Sequence, residues 1–292
     1  MTKIFKILSQ GGIGDALLLT PSLRAIKKRY PLSRTHIFCT TPAHLQIFKN
    51  NPFIDKLEFG SVWRHPIQTI RTMQGWATYD YRSDYGIWLP SLTSDKHAAK
   101  IIAEWLGVSL STESVELFLN AQDEARGAKL LMPYKNCVVI HPKAAFSANK
   151  DWIWERWPEL VERNPQYTFI QIGSSGEDYV KGCVDHRGIS IRDTAAVIKA
   201  ANALVAVDSL FAHVAAAVGT RAVVLFGATT PVIWGHPGNV NLYAGVRCSP
   251  CMDILRFEAC PYGKECMVEL SVATVETALN LVTLPSISTI KA

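Results

Sequence analysis

The stretch Ile4-Phe5-Lys6-Ile7-Leu8-Ser9-Gln10-Gly11-Gly12-Ile13-Gly14-Asp15 decides the fold. A short apolar run closed by glycines reads as a buried strand. A strand that passes through a tight turn into a helix begins a βαβ unit of a parallel sheet. The glycines let the backbone turn sharply and approach a ligand. The helix that follows presents unpaired N–H groups and a partial positive charge at the same turn. The third glycine of a G-x-G-x-x-G loop is missing, because Asp15, Ala16 and Leu17 follow Gly14, and no Walker Lys-Ser/Thr pair is present. Asp15 would repel a phosphate at this helix start. It reads either as a stabilising helix-start carboxylate or as a general base held at a cleft by the glycine turn. Thr20-Pro21 predicts a fresh helix start, with Thr20 as N-cap and Pro21 in the first position.

Outward from this unit, short apolar runs alternate with helical patterns. The expected strands are Ile4–Ser9, His36–Thr40, Leu57–Phe59 and Gly86–Leu89, then Val138–His141, Thr168–Ile172, Leu204–Val207 and Ala222–Phe226. Helices are expected at Trp154–Arg163, Thr194–Ala201 and Leu210–Val218. The strand set restarts near residue 137, after a polar helical stretch that ends at Met132-Pro133-Tyr134. This predicts an α/β protein of two Rossmann-like domains, residues 1–132 and 133–292, with parallel sheets facing a central cleft. Ligands of such sheets bind beyond the carboxyl ends of the strands.

Four consecutive strand ends of the second half carry ligand-type loops. His141 is followed by Pro142 and a loop reaching Lys150 that could grip a diphosphate. Ile172 is followed by Gly173-Ser174-Ser175-Gly176-Glu177, read as a turn into a helix, where Glu177 could accept hydrogen bonds from a ribose diol or favour the helix start. Val207 is followed by Asp208-Ser209, both competent N-caps, with His213 one turn on. Phe226 is followed by Gly227-Ala228-Thr229-Thr230-Pro231.

The chain has 292 residues, 48% of them hydrophobic, and a net charge of +5. It has no stretch of about 18 uncharged apolar residues, and its start lacks a secretory signal, so a cytoplasmic chain is expected. Arg24, Lys27, Lys28 and Arg29 share one helical segment. They suit a solvated helix end, a phosphorylated acceptor or a membrane surface, whereas no aromatic-interleaved basic motif argues for nucleic acid. Of seven cysteines, Cys248, Cys251, Cys260 and Cys266 follow the spacing C-x2-C-x8-C-x5-C. In a reducing compartment this reads as one tetrahedral structural zinc or iron site. Cys39, Cys137 and Cys183 read as ordinary thiols.

Taken in order, these motifs resemble glycosyltransferase family 9, the bacterial heptosyltransferases of lipopolysaccharide core synthesis and their relatives. The resemblance rests on Gly-Gly-Ile-Gly-Asp15 with Leu18 and Pro21, on Asn51-Pro52-Phe53-Ile54-Asp55, and on His141-Pro142 with Lys150-Asp151-Trp152. It continues in Val207-Asp208-Ser209 with His213 and in Phe226-Gly227-Ala228-Thr229-Thr230-Pro231. The chain departs from the family at Ser209-Leu210, in place of Thr-Gly, and at Pro142-Lys143, in place of Pro-Gly. The resemblance implies the two-Rossmann GT-B architecture and inverting transfer from a nucleotide sugar, typically ADP-heptose. It implies Asp15 as the base that deprotonates the acceptor hydroxyl and Lys150 on the donor phosphates. It also puts backbone N–H groups of the Asp208-Ser209…His213 turn at the diphosphate. With the strand-end loops, the expected donor-binding set is Gly12, Gly14, Lys150, Gly173, Glu177, Asp208, Ser209, His213 and Thr229. No Asp-x-Asp pair occurs, which fits transfer without a catalytic cofactor or metal. The acceptor is a glycan, a lipid-linked glycan at the membrane face, or a protein. Trp63, Arg64, His65, Arg71, Trp76, Tyr79 and Arg82 are candidates to shape its pocket. A nucleotide-sugar epimerase or dehydrogenase is the reading from another class. It would need the intact glycine loop and a Tyr-x-x-x-Lys pair.

Overall fold

The computed structural model describes residues 3–9, 11–60, 77–81, 94–251 and 259–284. The first sheet has four strands, β1 (Ile4–Ser9), β2 (Arg34–Cys39), β3 (Lys56–Phe59) and β4 (Ala77–Tyr81), in the order β3-β2-β1-β4. The second has six, β5 (Cys137–His141), β6 (Thr168–Gln171), β7 (Val184–Asp185), β8 (Ala203–Val207), β9 (Ala222–Phe226) and β10 (Val240–Tyr243), in the order β10-β9-β8-β5-β6-β7. Every pairing is parallel. Counted from its own first strand, the second sheet has the doubly wound order 3-2-1-4-5-6, and the first has its opening part, 3-2-1-4. The strand order reverses between β1 and β4 in one sheet and between β5 and β8 in the other. A crevice opens at such a reversal, so the loops after β1, β5 and β8 are placed for ligand binding by topology alone.

The helices are α1 (Ile13–Arg29), α2 (Pro42–Phe48), α3 (Ala98–Trp105), α4 (Ala121–Leu131), α5 (Arg156–Arg163), α6 (Ile191–Ala200), α7 (Leu210–Val218), α8 (Pro231–Trp234), α9 (Glu265–Val268) and α10 (Val272–Thr283). Strands β5, β8 and β9 are buried at every residue. Their side chains divide by the two-residue period of a strand. Val139, Leu204, Ala206, Val224 and Phe226 join the core that also holds Ile7, Leu17 and Ile37 of the first half. Val138, Ile140, Val205, Val207 and Leu225 face a second core with Trp152, Trp157, Val275 and Leu279.

Three expectations are corrected. Thr20 is not an N-cap, because α1 runs unbroken through Pro21. Pro21 cannot donate to the carbonyl of Leu17. The Thr20 hydroxyl donates to that oxygen instead, at 2.7 Å, and accepts from the N–H of Glu116 at 2.9 Å. The turn at Gly173–Glu177 does not lead into a helix; β7 intervenes, and α6 begins only at Ile191. The strands β4, β7 and β10 were not anticipated. The expected strand Gly86–Leu89 lies outside the described residues, as do Trp63, Arg64, His65, Arg71, Trp76 and Arg82 and the side chain of Tyr79.

A buried arginine joins segments from both halves. Arg192, at the start of α6, donates through Nε to Asp123 of α4 at 3.0 Å and makes an ion pair with the same carboxylate. It also donates to the carbonyls of Phe118 at 2.7 Å and of Gln46 in α2 at 2.9 Å. Both charged side chains are nearly inaccessible, at 3% and 4% exposed. The hydrogen bond from Arg192 holds the Asp123 carboxyl well below the usual range, against the opposing effect of burial. Replacing Arg192 with Leu should therefore lower unfolding stability by about 3–5 kcal/mol, because it strands a buried carboxylate. Arg192→Lys should recover little of the loss, since an ammonium cannot span the carboxylate and both carbonyls. Denaturant unfolding of the two variants checks this.

Candidate active site

The three topologically favoured loops carry the candidate residues. After β1, Gly12 is the N-cap of α1, and its N–H donates to Asp15 Oδ2 at 3.0 Å. Asp15 is thus a helix-start carboxylate in the structure, partly buried and turned back over the glycine turn. Gly14 faces the second half. A Cβ at this position would stand 2.9 Å from Cδ2 and 3.5 Å from Nε2 of His213. The N-terminal turns of α1 and α7 therefore meet at Gly14 and His213, and only a residue without a side chain lets them approach so closely.

On the other side, Lys150 ends a 3₁₀ turn (Ala148–Lys150) and its Nζ lies 2.6 Å from Asp208 Oδ2. The same oxygen accepts from Thr229 Oγ1 at 2.6 Å. Asp208 is buried, which by itself favours its neutral form, yet Lys150 and the Thr229 hydrogen bond hold its pKa below the ordinary value. An ammonium has three donors, and the pair with Asp208 uses one. The expected N-cap role of Asp208 and Ser209 is corrected here. Asp208 is engaged with Lys150 and Thr229. Ser209 occupies the N-cap position of α7 without a side-chain cap bond, because its hydroxyl bonds His141 Nδ1 at 2.9 Å. No side chain caps the start of α7, at the positive end of the helix dipole, and the Ala212 N–H turns to the Ser209 carbonyl at 3.2 Å.

His141 extends the polar chain. Its Nε2 lies 3.5 Å from Glu177 Oε2, an ion-pair contact longer than a hydrogen bond, and Oε2 is otherwise unpartnered. Glu177 Oε1 accepts from the N–H of Ser174 at 2.9 Å. Burial opposes the charge on Glu177, but His141 and Ser174 keep its pKa below the usual value. Gly173 makes this possible. It has φ of +135°, and a Cβ there would come within 2.2 Å of the folded-back carboxylate. The structure thus joins Gly173 to Glu177, Glu177 to Ser209 through His141, and Asp208 to Lys150 and Thr229.

Two residues escaped the sequence reading. His213 Nδ1 bonds Nε2 of the buried His236 at 2.7 Å, and the His236 ring packs edge-on to His97 beyond. No spacing ties His236 or His97 to His213. A histidine between Gly235 and Pro237 was the one local hint. His141 was noted only as a sequence motif, without its bridging role.

The four cysteines cluster beside the end of β9. Cys251 N–H donates to the carbonyl of Ala228 at 3.1 Å, Cys260 N–H to Asn149 Oδ1 at 3.2 Å, and a Cβ on Gly227 would stand 2.8 Å from Cys266 Sγ. Burial and the neighbouring Cys251, Cys248 and Cys260 push the Cys266 thiol up to about 11. Among the described residues, however, no group of three or more His, Cys, Asp or Glu is placed to hold a metal ion. The donor set suits a thiolate-bound metal by its chemistry, but as placed it does not form a coordination shell.

Residues 188–259, which carry Asp208, Ser209, His213, Thr229 and His236, match the model of glycosyltransferase family 9 (heptosyltransferase). The resemblance to that family stands. No curated protein matches at the level of sequence. Among solved structures, a glycosyl transferase family 9 protein from Veillonella parvula is similar at 17% identity, with a TM-score of 0.73 and 97% of each chain covered. The ADP-heptose lps heptosyltransferase II of E. coli is similar at 13% identity, TM-score 0.67, covering 97% of this chain and 99% of that one. The iron-containing dodecameric glycosyltransferase TibC of enterotoxigenic E. coli is similar at 17% identity, TM-score 0.71, covering 96% and 76%. The chain therefore has the GT-B fold of the heptosyltransferases. Among the described residues, no helix is long and apolar enough to cross a membrane.

The Lys150–Asp208 pair has a pH signature. In Lys150→Ala, Asp208 stays buried without its cation, so its folded pKa should rise above the unfolded value of about 4. A raised carboxyl pKa destabilises the fold above that value and costs nothing below it, where the group is protonated in both states. The variant should be about 3–5 kcal/mol less stable near neutrality, and the gap should close as the pH falls towards 4. Denaturant titrations at several pH values test the sign.

Proposed function

We propose that this chain is an inverting glycosyltransferase that moves a heptose or related sugar from a nucleoside-diphosphate sugar to a hydroxyl of a glycan, lipid-linked or protein acceptor. ADP-heptose is the donor that the family resemblance favours. The carrying observation is the meeting of α1 and α7 at Gly14 and His213. On this reading Asp15 serves one side of the cleft, and a lysine with a helix N-terminus the other. Inverting transfer needs this division of labour. Asp15 takes the proton from the acceptor hydroxyl as that oxygen attacks the anomeric carbon. Lys150 and the N–H groups at the start of α7, beginning at Ser209, meet the charge that grows on the departing diphosphate. Glu177, oriented by Gly173 and His141, accepts from the ribose hydroxyls. Thr229 and Asp208 hold Lys150 in place. Gly12 and Gly14 keep the backbone of the first half low beside the donor. This arrangement supplies leaving-group stabilisation through the chain's own residues, and the transfer is proposed to run without a catalytic metal.

Asp15→Asn keeps the shape and the bond from Gly12 but cannot take a proton. Turnover should fall by about 10²–10⁴-fold while ADP affinity, read by isothermal titration, changes little. Near wild-type turnover in this variant would leave Asp15 a helix cap and nothing more. The same assay in excess EDTA should keep its rate.

We also infer that Cys248, Cys251, Cys260 and Cys266 close around a structural zinc or iron. The clustering of the four thiols supports this, as does the similarity to an iron-containing glycosyltransferase. Elemental analysis of tag-free protein should find about one equivalent, lost in Cys→Ser variants. Four freely titrating thiols and no metal would rule the site out.

A further inference from the structure

His213, His236 and His97 form a buried row that the proposed chemistry uses only at one end. His213 and His236 are both nearly inaccessible, and their rings stand almost perpendicular, with centroids 4.9 Å apart. The 2.7 Å contact between His213 Nδ1 and His236 Nε2 needs one proton and one lone pair. Two arrangements of neutral rings supply them. If His213 donates from Nδ1, the His236 proton must sit on Nδ1. That nitrogen is buried and has no hydrogen-bond partner. If His236 donates from Nε2, its Nδ1 keeps only a lone pair, and the His213 proton moves to Nε2. The first arrangement strands a buried N–H, which is the rarer and costlier defect. The second strands a buried acceptor.

We propose that His236 donates from Nε2 to His213 Nδ1 and so holds His213 as a neutral imidazole with its proton on Nε2, on the ring edge that faces Gly14. His236 is then a positioning residue. His213 can donate a hydrogen bond to an oxygen of a molecule in the cleft, and it cannot act there as a base. The last point rests on the nucleotide-sugar reading of the cleft; the tautomer does not.

The surroundings favour neutral rings. Burial brings His213 down to about 4, with Lys150 and His97 acting in the same direction and Asp208 opposing them. Burial together with His213 and His97 brings His236 down to about 2. His97 is also lowered by burial, with Lys100 adding to it and Glu113 and the backbone of Gly235 opposing. Its Nδ1 accepts from the N–H of Ala99 at 3.3 Å and lies 3.7 Å from Glu113 Oε2.

Nitrogen-15 NMR of histidine side chains in the full chain reads the tautomers directly. In the ligand-free wild type, His213 and His236 should each show a protonated Nε2 and a bare Nδ1 at neutral pH. A protonated Nδ1 on His213, or an imidazolium at that pH, would overturn the proposal. His236→Phe keeps a ring but no donor. The Nδ1–H form of His213 should then become measurable, and ADP-sugar affinity should fall by up to about tenfold. An unchanged, pure Nε2–H state in this variant would remove His236 as the cause. Addition of ADP to the wild type should shift the His213 Nε2 signal. A correct tautomer that ignores ADP would count against the nucleotide reading of the cleft and leave the tautomer assignment intact.

Discussion

Arg192 is the point on which the arrangement of the two halves turns. A guanidinium in an almost dry site must have its donors met, and here they are met by Asp123 of α4, the carbonyl of Phe118 and the carbonyl of Gln46 in α2. These three partners come from three separate segments that precede the second sheet. Satisfying one buried cation therefore fixes where α2 and α4 sit against α6. Asp123 is itself tied to Arg126, which also reaches Asp193 beside Arg192. Such a network gains little over well-packed apolar residues, but it permits only one geometry. The start of α1 separately meets the start of α7 where Gly14 approaches His213.

The fold was legible because parallel strands buried on both faces read as continuous apolar runs, and β5, β8 and β9 are of that kind, while β1 is buried at alternate residues and announces itself by its glycine turn. The limits of β1, β9 and α7 agree with the sequence to the residue. Strands β7 and β10 were missed for a physical reason. They lie at the edges of the second sheet, one is two residues long, and Val240-Asn241-Leu242-Tyr243 is only partly buried throughout. The Thr20-Pro21 pair misled because a proline inside a helix is normally a boundary. A neighbouring hydroxyl had taken over the orphaned carbonyl, which no local rule reveals.

The site was legible at the level of loops and not of contacts. Glycines, hydroxyls and charged residues at strand ends mark where ligands bind. Which of them touch is a matter of three dimensions: Lys150 meets Asp208 58 positions further along the chain, and His141 meets Ser209 at a separation of 68. The distinction changes what the residues are. Asp208 and Ser209 looked like interchangeable caps, yet both side chains turn away from the helix start. Buried Asp208 pairs with the half-buried Lys150, and Ser209 closes a polar chain that runs back to Glu177. A helix whose N-cap side chain is occupied elsewhere keeps its first N–H groups for something outside the protein.

Charge is divided across the cleft in a way that the two strand reversals explain. The reversal in the first sheet contributes one loop, after β1, and that loop carries an acid. The reversal in the second contributes the loops after β5 and β8, and these carry Lys150, a helix N-terminus and His213, whose pKa burial lowers. A neutral donor at His213 is the natural companion of Lys150. A second full cation so near the ammonium would have to be desolvated against repulsion from the first, whereas an imidazole N–H adds a hydrogen bond at no electrostatic cost. Asp208 is already committed to Lys150 and Thr229 and has little left to stabilise an imidazolium. Under the proposed function, the proton that an acceptor must lose then falls to Asp15, the carboxylate folded back over the glycine turn.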